Sequence, residues 1–509
     1  MKLSKLTLAV VTALGASVAT NALALDLYMD MKTKQIFAEP GKNRVKLGSF
    51  EEVKEGAKNS EVSQKVAQEE QEIAQIREDL ENKELAIKAL EEKAIETKEQ
   101  RAKNDEKWFN KISLRGYTQM RYNLGLSGDR AEENLPPDRH AELRSVQDSS
   151  IKNNSGFSLR RVRLVFSGDI NDYISMYIQP DFSVTNGDQN FAQLRDAYFD
   201  LAFDKGHEYR IRAGQSKIPF GWENLQSSQN RIALDRDDAL NSAVPGERDL
   251  GLMAYWTPTD VQKLWKNMSK KGLKTSGDYG VLGVGVYNGQ GINKAETNDD
   301  LYVVAHSTYP FQLDGLGSFF NGQVLEIGMD AMTGRFTPTT AAYTSFDPRY
   351  DARGRSITRS APAPIVKGDG NGLISEDRVG VHAILFPQPF GLQAEWNVGK
   401  SGALNPTTNV IERQPLSGGY VQAMYKIDNI FQTEGTMIPY ARWQTYHGSW
   451  KGATNSPKIK TNEFEAGLEY QISKALEVTL AYAYMDRTNV TNLGQAHGDL
   501  LRAQLQVNY

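Results

Sequence analysis

Residues 463–472, Glu463-Phe464-Glu465-Ala466-Gly467-Leu468-Glu469-Tyr470-Gln471-Ile472, set an apolar side chain at every even position and a polar one or glycine at every odd one. A period of two belongs to an extended strand whose two faces meet different surroundings. The rhythm continues downstream through Leu476, Val478, Leu480, Tyr482 and Tyr484, and then through Leu501, Ala503, Leu505, Val507 and Tyr509. Upstream, Ile112, Leu114, Gly116, Thr118, Met120 and Tyr122 alternate with Ser113, Arg115, Tyr117, Gln119 and Arg121. Ile174, Met176, Ile178 and Phe182 alternate likewise with Ser175, Tyr177, Gln179 and Asp181.

Extended from Trp108 to Tyr509, this reading predicts an all-β transmembrane barrel of about 16 antiparallel strands, an even number as bacterial barrels require. The expected centres lie near Thr118, Val162, Met176, Tyr198, Ile211, Leu252, Leu282 and Val304, then Ile327, Val381, Ala394, Val421, Ala441, Ala466, Leu480 and Leu505. A barrel of this size leaves an aqueous channel, whereas eight strands fill their own interior. Ile170-Asn171-Asp172, Asp204-Lys205-Gly206 and Pro387-Gln388-Pro389 read as periplasmic turns, and Leu126 to Ser155, Gly221 to Arg248 and Gly334 to Glu376 as extracellular loops. Tyr122, Phe182, Trp256, Trp396, Trp443 and Tyr509 suit the interfacial girdles. Alternation alone also fits a soluble propeller or sandwich; the short-long order of the connections and the aromatic-ended last strand favour the membrane.

Ahead of the barrel the composition changes twice. Lys2 and Lys5, an apolar run from Leu6 to Ala19 and the exit Ala22-Leu23-Ala24 have the layout of a signal peptide over residues 1–24. Residues 25–59 form a short mixed segment in which Leu27-Tyr28-Met29 and Gln35-Ile36-Phe37-Ala38 suggest a hairpin. Residues 60–107 carry neither proline nor glycine, and Val62, Val66, Ile73, Ile76, Leu80, Ile87, Leu90 and Ala94 recur at alternating three- and four-residue steps or their sums. That seam predicts a periplasmic coiled coil, weakened at Glu69, Lys83 and the Thr97/Arg101 end and undecided between dimer and trimer.

The 509 residues include no cysteine, which removes disulfides, thiolate catalysis and zinc–sulfur sites. A mean hydropathy of -0.52 is too polar for a helical membrane protein. A net charge of -4 lacks the basic footprint of nucleic-acid binding. The six histidines are scattered, and no catalytic or nucleotide-binding motif appears, so neither an enzyme, a cofactor nor a metal site is expected. Lys367-Gly368-Asp369-Gly370-Asn371-Gly372 looks like a calcium loop but fails at its first position, Lys367, and its twelfth, Arg378.

Three strings carry a family resemblance: Leu159-Arg160-Arg161-Val162-Arg163-Leu164, Leu194-Arg195-Asp196-Ala197-Tyr198, and above all Arg212-Ala213-Gly214-Gln215-Ser216-Lys217-Ile218-Pro219-Phe220-Gly221. They resemble the phosphate-selective porin O and P family over roughly Lys111 to Tyr509. The resemblance implies a sixteen-stranded trimeric barrel in the outer membrane of a Gram-negative bacterium, with the loop from Trp222 to Arg248 bent into the pore. Tyr509 departs from the usual terminal phenylalanine, and the dense basic lining of that loop is missing.

With apolar residues facing lipid, Arg115, Arg121, Arg161, Arg163, Arg210 and Arg212 point inward and make one wall basic. Glu326, Asp330, Glu395, Glu463, Glu465, Glu469 and Glu477 make the opposite wall acidic. The loop adds Lys217, Arg231 and Arg236 beside Asp235, Asp237 and Asp238, the last three expected to face the arginines across the constriction. Such walls tune ion preference because a narrow low-dielectric channel focuses the field. The expected function is passive diffusion of small hydrophilic solutes and ions with a mild anion preference. Expected partners are outer-membrane lipid, lipopolysaccharide, two further copies of the chain, and a peptidoglycan or periplasmic partner of the coiled coil. An envelope tether using the barrel as an anchor is the second reading, and a soluble exported carbohydrate-binding or hydrolytic β-protein the third.

Overall fold

The structure, a computed structural model, describes residues 25–50, 59–105, 107–128, 140–144, 148, 150–182, 192–350, 356–430, 435–491 and 493–509. The expected signal peptide at 1–24 lies outside them. The chain divides into two compact units, 1–101 and 102–509.

In the first unit, Leu25–Asp30 is the middle strand of a three-stranded antiparallel sheet, flanked by Ile36–Phe37 and Arg44–Phe50. Helix α1 runs unbroken from Asn59 to Asp105. Strong helix formers without glycine or proline explain its continuity. Its seam residues Val66, Ile73, Ile76, Leu80, Ile87 and Leu90 all stand exposed, Leu90 by 67%.

The second unit is a closed ring of sixteen strands: β1 (Ser113–Gly128), β2 (Gly156–Asn171), β3 (Ile174–Asp181), β4 (Gln193–Ala202), β5 (Tyr209–Lys217), β6 (Arg248–Trp256), β7 (Leu282–Tyr287) and β8 (Tyr302–Gln312), then β9 (Val324–Phe336), β10 (Ile374–Leu385), β11 (Phe390–Asn405), β12 (Val410–Tyr425), β13 (Gly435–Ser449), β14 (Lys458–Ser473), β15 (Leu476–Thr488) and β16 (Gln495–Asn508). Sequence neighbours pair antiparallel, and β16 closes on β1 with Leu505 opposite Met120. Every expected centre falls inside one of these strands.

Burial decides between a membrane barrel and a soluble one. Leu114, Leu252, Val284, Met329, Val381 and Leu480 are exposed, while Arg121, Glu326, Arg378, Glu395, Arg442 and Arg502 are buried. A soluble sandwich or propeller has the reverse pattern, because apolar surface leaves water and charge stays in it. This ring therefore offers hydrocarbon to its surroundings and keeps its charge inside.

The connections depart from the expected short-long order. At the end where β1 starts and β16 finishes, the β6–β7 connection spans residues 257–281 and contains helix α4 (Thr259–Lys270). At the other end, residues 406–409 join β11 to β12 in a short turn. Strands also extend into two expected loops, β1 to Gly128 and β9 to Phe336. Between β9 and β10, Tyr343–Tyr350 pairs with Ser356–Ala361, and Ile365–Lys367 lies parallel to Val410–Glu412 of β12.

Candidate channel interior

The interior is built by two connections that enter the ring from opposite ends. The first is Ile218 to Glu247, between β5 and β6. Gly221, at φ 85, turns the chain after the end of β5 and leads into α2 (Trp222–Leu225). A side chain there would also meet Leu240 at 3.0 Å, so glycine serves both the turn and the close approach. Asp237 caps α3 (Asp238–Asn241), accepting from the N–H groups of Ala239 at 2.9 Å and Leu240 at 3.2 Å.

Wall side chains hold this loop on all sides. Glu395 on β11 accepts from the backbone N–H groups of Trp222 and Glu223, both at 2.7 Å. Arg442 on β13 grips Glu223 with two bonds, of 2.6 and 2.9 Å. Arg378 on β10 donates to Ala239 O at 3.1 Å and Ser242 Oγ at 2.9 Å. Arg121 on β1 reaches Leu234 O at 2.9 Å, and Arg502 on β16 reaches Asp235 at 2.5 Å. Contacts to β1, β10, β11, β13 and β16 together place the loop within the bore.

The second connection is α4 and the turn after it. Val261, Leu264, Trp265 and Met268 share one helical face, and Val261, Trp265 and Met268 pack with Trp222, Val324, Ile384 and Phe386. Glu326 on β9 accepts the indole N–H of Trp265 at 3.1 Å and that of Trp222 at 2.9 Å, so one carboxylate ties both inserted segments to the wall. Lys274 crosses to Glu469 at 2.5 Å and Glu477 at 3.1 Å, and Asp278 takes Arg210 at 2.7 Å. Sequence alternation missed this segment, although the 3.6 spacing of Val261, Leu264, Trp265 and Met268 signals it.

The arginines read from the sequence lie on β1, β2 and β5. Arg163 pairs with Asp181 at 2.8 Å, Arg212 with Asp200 at 2.8 Å, and Arg210 with Asp278. Arg121 takes Asp148 at 2.5 Å and Asp235 at 3.1 Å. Arg161 is 3% exposed, donates to Gln119 at 2.7 Å and pairs with no carboxylate among the described residues. Arg115 is exposed and makes no ion pair among them.

The loop acids do not form one rank opposite the arginines, as expected from their spacing. Asp235 joins Arg121 and Arg502, Asp237 is spent on the α3 cap, and Asp238 reaches Arg487 on β15 at 3.1 Å. A tight turn at α3 aims consecutive carboxylates in different directions. The acidic wall is occupied too: Glu463 pairs with Arg487, Glu465 with Arg502 at 3.6 Å, and Asp330 accepts from His306 at 2.5 Å.

Glu247 was not singled out by the sequence, yet it is the hub of the basic wall. It contacts Arg236, Arg248 at 2.9 Å, and Lys217 and Arg195 at 3.6 Å each. It stands at φ 72, a left-handed conformation that costs a non-glycine residue about 1–3 kcal/mol, held by the surrounding ion pairs. Arg231 has no ion pair among the described residues, and burial pushes it down to about 10 against the pull of Glu223 and Asp235. Arg236 is lowered well below the usual guanidinium range, first by burial and then by Arg231, Arg161, Arg248 and Arg195 beside it.

A ring of sixteen strands, apolar outside and charged within, with two connections folded into its bore, defines a transmembrane barrel of the porin type. The chain belongs to the phosphate-selective porin O and P family, whose model matches residues 142–509. No curated protein matches the chain. Among solved structures it is similar to the outer membrane channel DcaP of Acinetobacter baumannii, at 13% identity and a TM-score of 0.45 over 78% of this chain and 97% of that one. It is similar to OmpF of Salmonella typhi in complex with daunomycin, at 14% identity and 0.45 over 78% and 97%. It is also similar to the trimer form of OmpT of Vibrio cholerae, at 9% identity and 0.40 over 78% and 99%.

Proposed function

We propose that the protein is an outer-membrane porin for passive diffusion of small hydrophilic solutes and ions, with a mild preference for anions. The observation that carries the preference is the basic cluster in which Arg195, Lys217, Arg236 and Arg248 gather about Glu247, with Asp196 on Arg248 at 3.0 Å, beside Arg161 and Arg231, which make no ion pair among the described residues. Unbalanced positive charge in a low-dielectric bore raises the local concentration of anions. Screening over ~8 Å at physiological ionic strength keeps the effect modest and weakens it as salt rises.

Replacing Arg161 and Arg163 together with glutamine is expected to shift the reversal potential in a salt gradient towards cations. Arg161 loses an unbalanced charge, and the Arg163 change leaves Asp181 unpaired, so both act in the same sense. A control pair of exposed cations, Lys205→Gln with Arg413→Gln, is expected to do little. Equal shifts from the two pairs would remove the wall field as the cause.

The exposed stripe of α1 favours a role for the first unit in assembly or envelope attachment. An apolar seam of this length gains little without a partner, and copies of α1 wound together supply one, with a trimer the number that the family resemblance implies. Deleting residues 61–106 is expected to leave single-channel conductance nearly unchanged while lowering oligomer yield or envelope attachment. Lost conductance in an inserted barrel would instead make the segment part of the pore.

A further inference from the structure

Between the wall of β1 to β6, the β5–β6 loop and the turn after α4 lies a cavity of 320 Å³. Its lining joins ring faces to unspent donors. Tyr177 and Tyr198 stack at 5.2 Å with 9° between their planes, and Tyr279, from the turn after α4, lines the same space. The hydroxyls of these three tyrosines have no hydrogen-bond partner among the described residues. Arg212 lies 3.9 Å over the Tyr198 ring; Asp200 accepts from its Nε and Nη2, and its buried Nη1 has no hydrogen-bond partner among the described residues. Arg115, which makes no ion pair among the described residues, stands 6.0 Å from the Tyr177 ring. A second cavity of 410 Å³ shares Arg115 and runs on to Lys474 and Tyr509, at the end of the barrel where β1 starts.

We propose that this cavity is a transit site for a planar aromatic carboxylate. Its ring lies against Tyr279 and the edges of the stacked Tyr177 and Tyr198, and its carboxylate takes Arg115 and the remaining N–H groups of Arg212. Guanidinium and carboxylate match in charge and fork geometry, and tyrosine rings, whose edges meet an aromatic face favourably, prefer a flat aromatic body to a hydrated one. A bare oxyanion would leave the ring faces to water, and a neutral sugar would leave Arg115 uncompensated. Lys217 and Arg248 line the same cavity beside Asp196 and Asp278, which are paired with Arg248 at 3.0 Å and Arg210 at 2.7 Å, so the site adjoins the basic cluster around Glu247. The assignment rests on the channel reading and deepens it by naming a solute class.

The test is current block in a planar bilayer with the purified full-length protein. Conductance in potassium chloride comes first, and its absence would overturn the channel reading and this site with it. In a conducting channel, benzoate is expected to half-block at a concentration about tenfold below that of acetate, the ratio that one or two ring contacts supply. Tyr177→Ala with Tyr198→Ala should bring the ratio close to one, whereas Tyr198→Phe, which keeps the ring, should retain most of it. Heat-modifiable migration of each variant certifies its fold. Equal block by benzoate and acetate in the unaltered protein, or stronger block by inorganic phosphate, overturns the aromatic assignment while leaving the channel intact.

Discussion

Replacing residues 259–276 by a short glycine-serine turn is expected to raise single-channel conductance by about twofold or more, because α4 fills space that a sixteen-stranded barrel otherwise leaves to water. The splice is short: Leu282 already pairs with Trp256, so a few residues bridge β6 to β7. The gain should come with broken ties, since Trp265 no longer reaches Glu326 and Lys274 no longer reaches Glu469 and Glu477. Lys274→Gln alone should give a smaller increase in the same direction. Planar-bilayer recording checks both, and unchanged conductance in a correctly inserted shortened barrel would mean that ions pass along a wall α4 does not obstruct.

The Glu223–Arg442 pair is expected to have the largest effect of any single contact on how the β5–β6 loop is held. Both side chains are 3% exposed and joined by two hydrogen bonds. Glu223→Gln leaves a buried guanidinium without its carboxylate, a change that costs about 3–5 kcal/mol. Arg442→Gln should cost a similar amount, and both variants should show flickering current as the loop loosens. Removing both partners should cost much less than the sum, because no buried charge is then stranded. Thermal unfolding in detergent measures the cycle; costs that add within about 0.5 kcal/mol would show that the two residues act independently.

How much of this was legible beforehand depends on the length scale of the signal. Sixteen strand positions could be read from alternation because a strand with lipid on one side and charge on the other repeats every two residues. The inward direction of Arg121, Arg161, Arg163, Arg210 and Arg212 follows from the same parity. Asp235, Asp237 and Asp238 show where that reasoning stops. They lie in a turn with no period, so their targets on β1 and β16, on the α3 cap and on β15 were set by the path of the loop.

The amino-acid sequence by itself determined the barrel, its strand number, the polarity of its two faces and the long uninterrupted helix before it, because each is written in local periodicity. Only the tertiary structure decided what fills the bore. The partners of Glu326 lie 61 and 104 residues away at Trp265 and Trp222, and Arg442 finds Glu223 across 219 residues. Such contacts exist once ring closure brings opposite walls and both inserted segments within hydrogen-bonding distance. The choice among charges is then a matter of desolvation, since a carboxylate taken from water binds the nearest available donor.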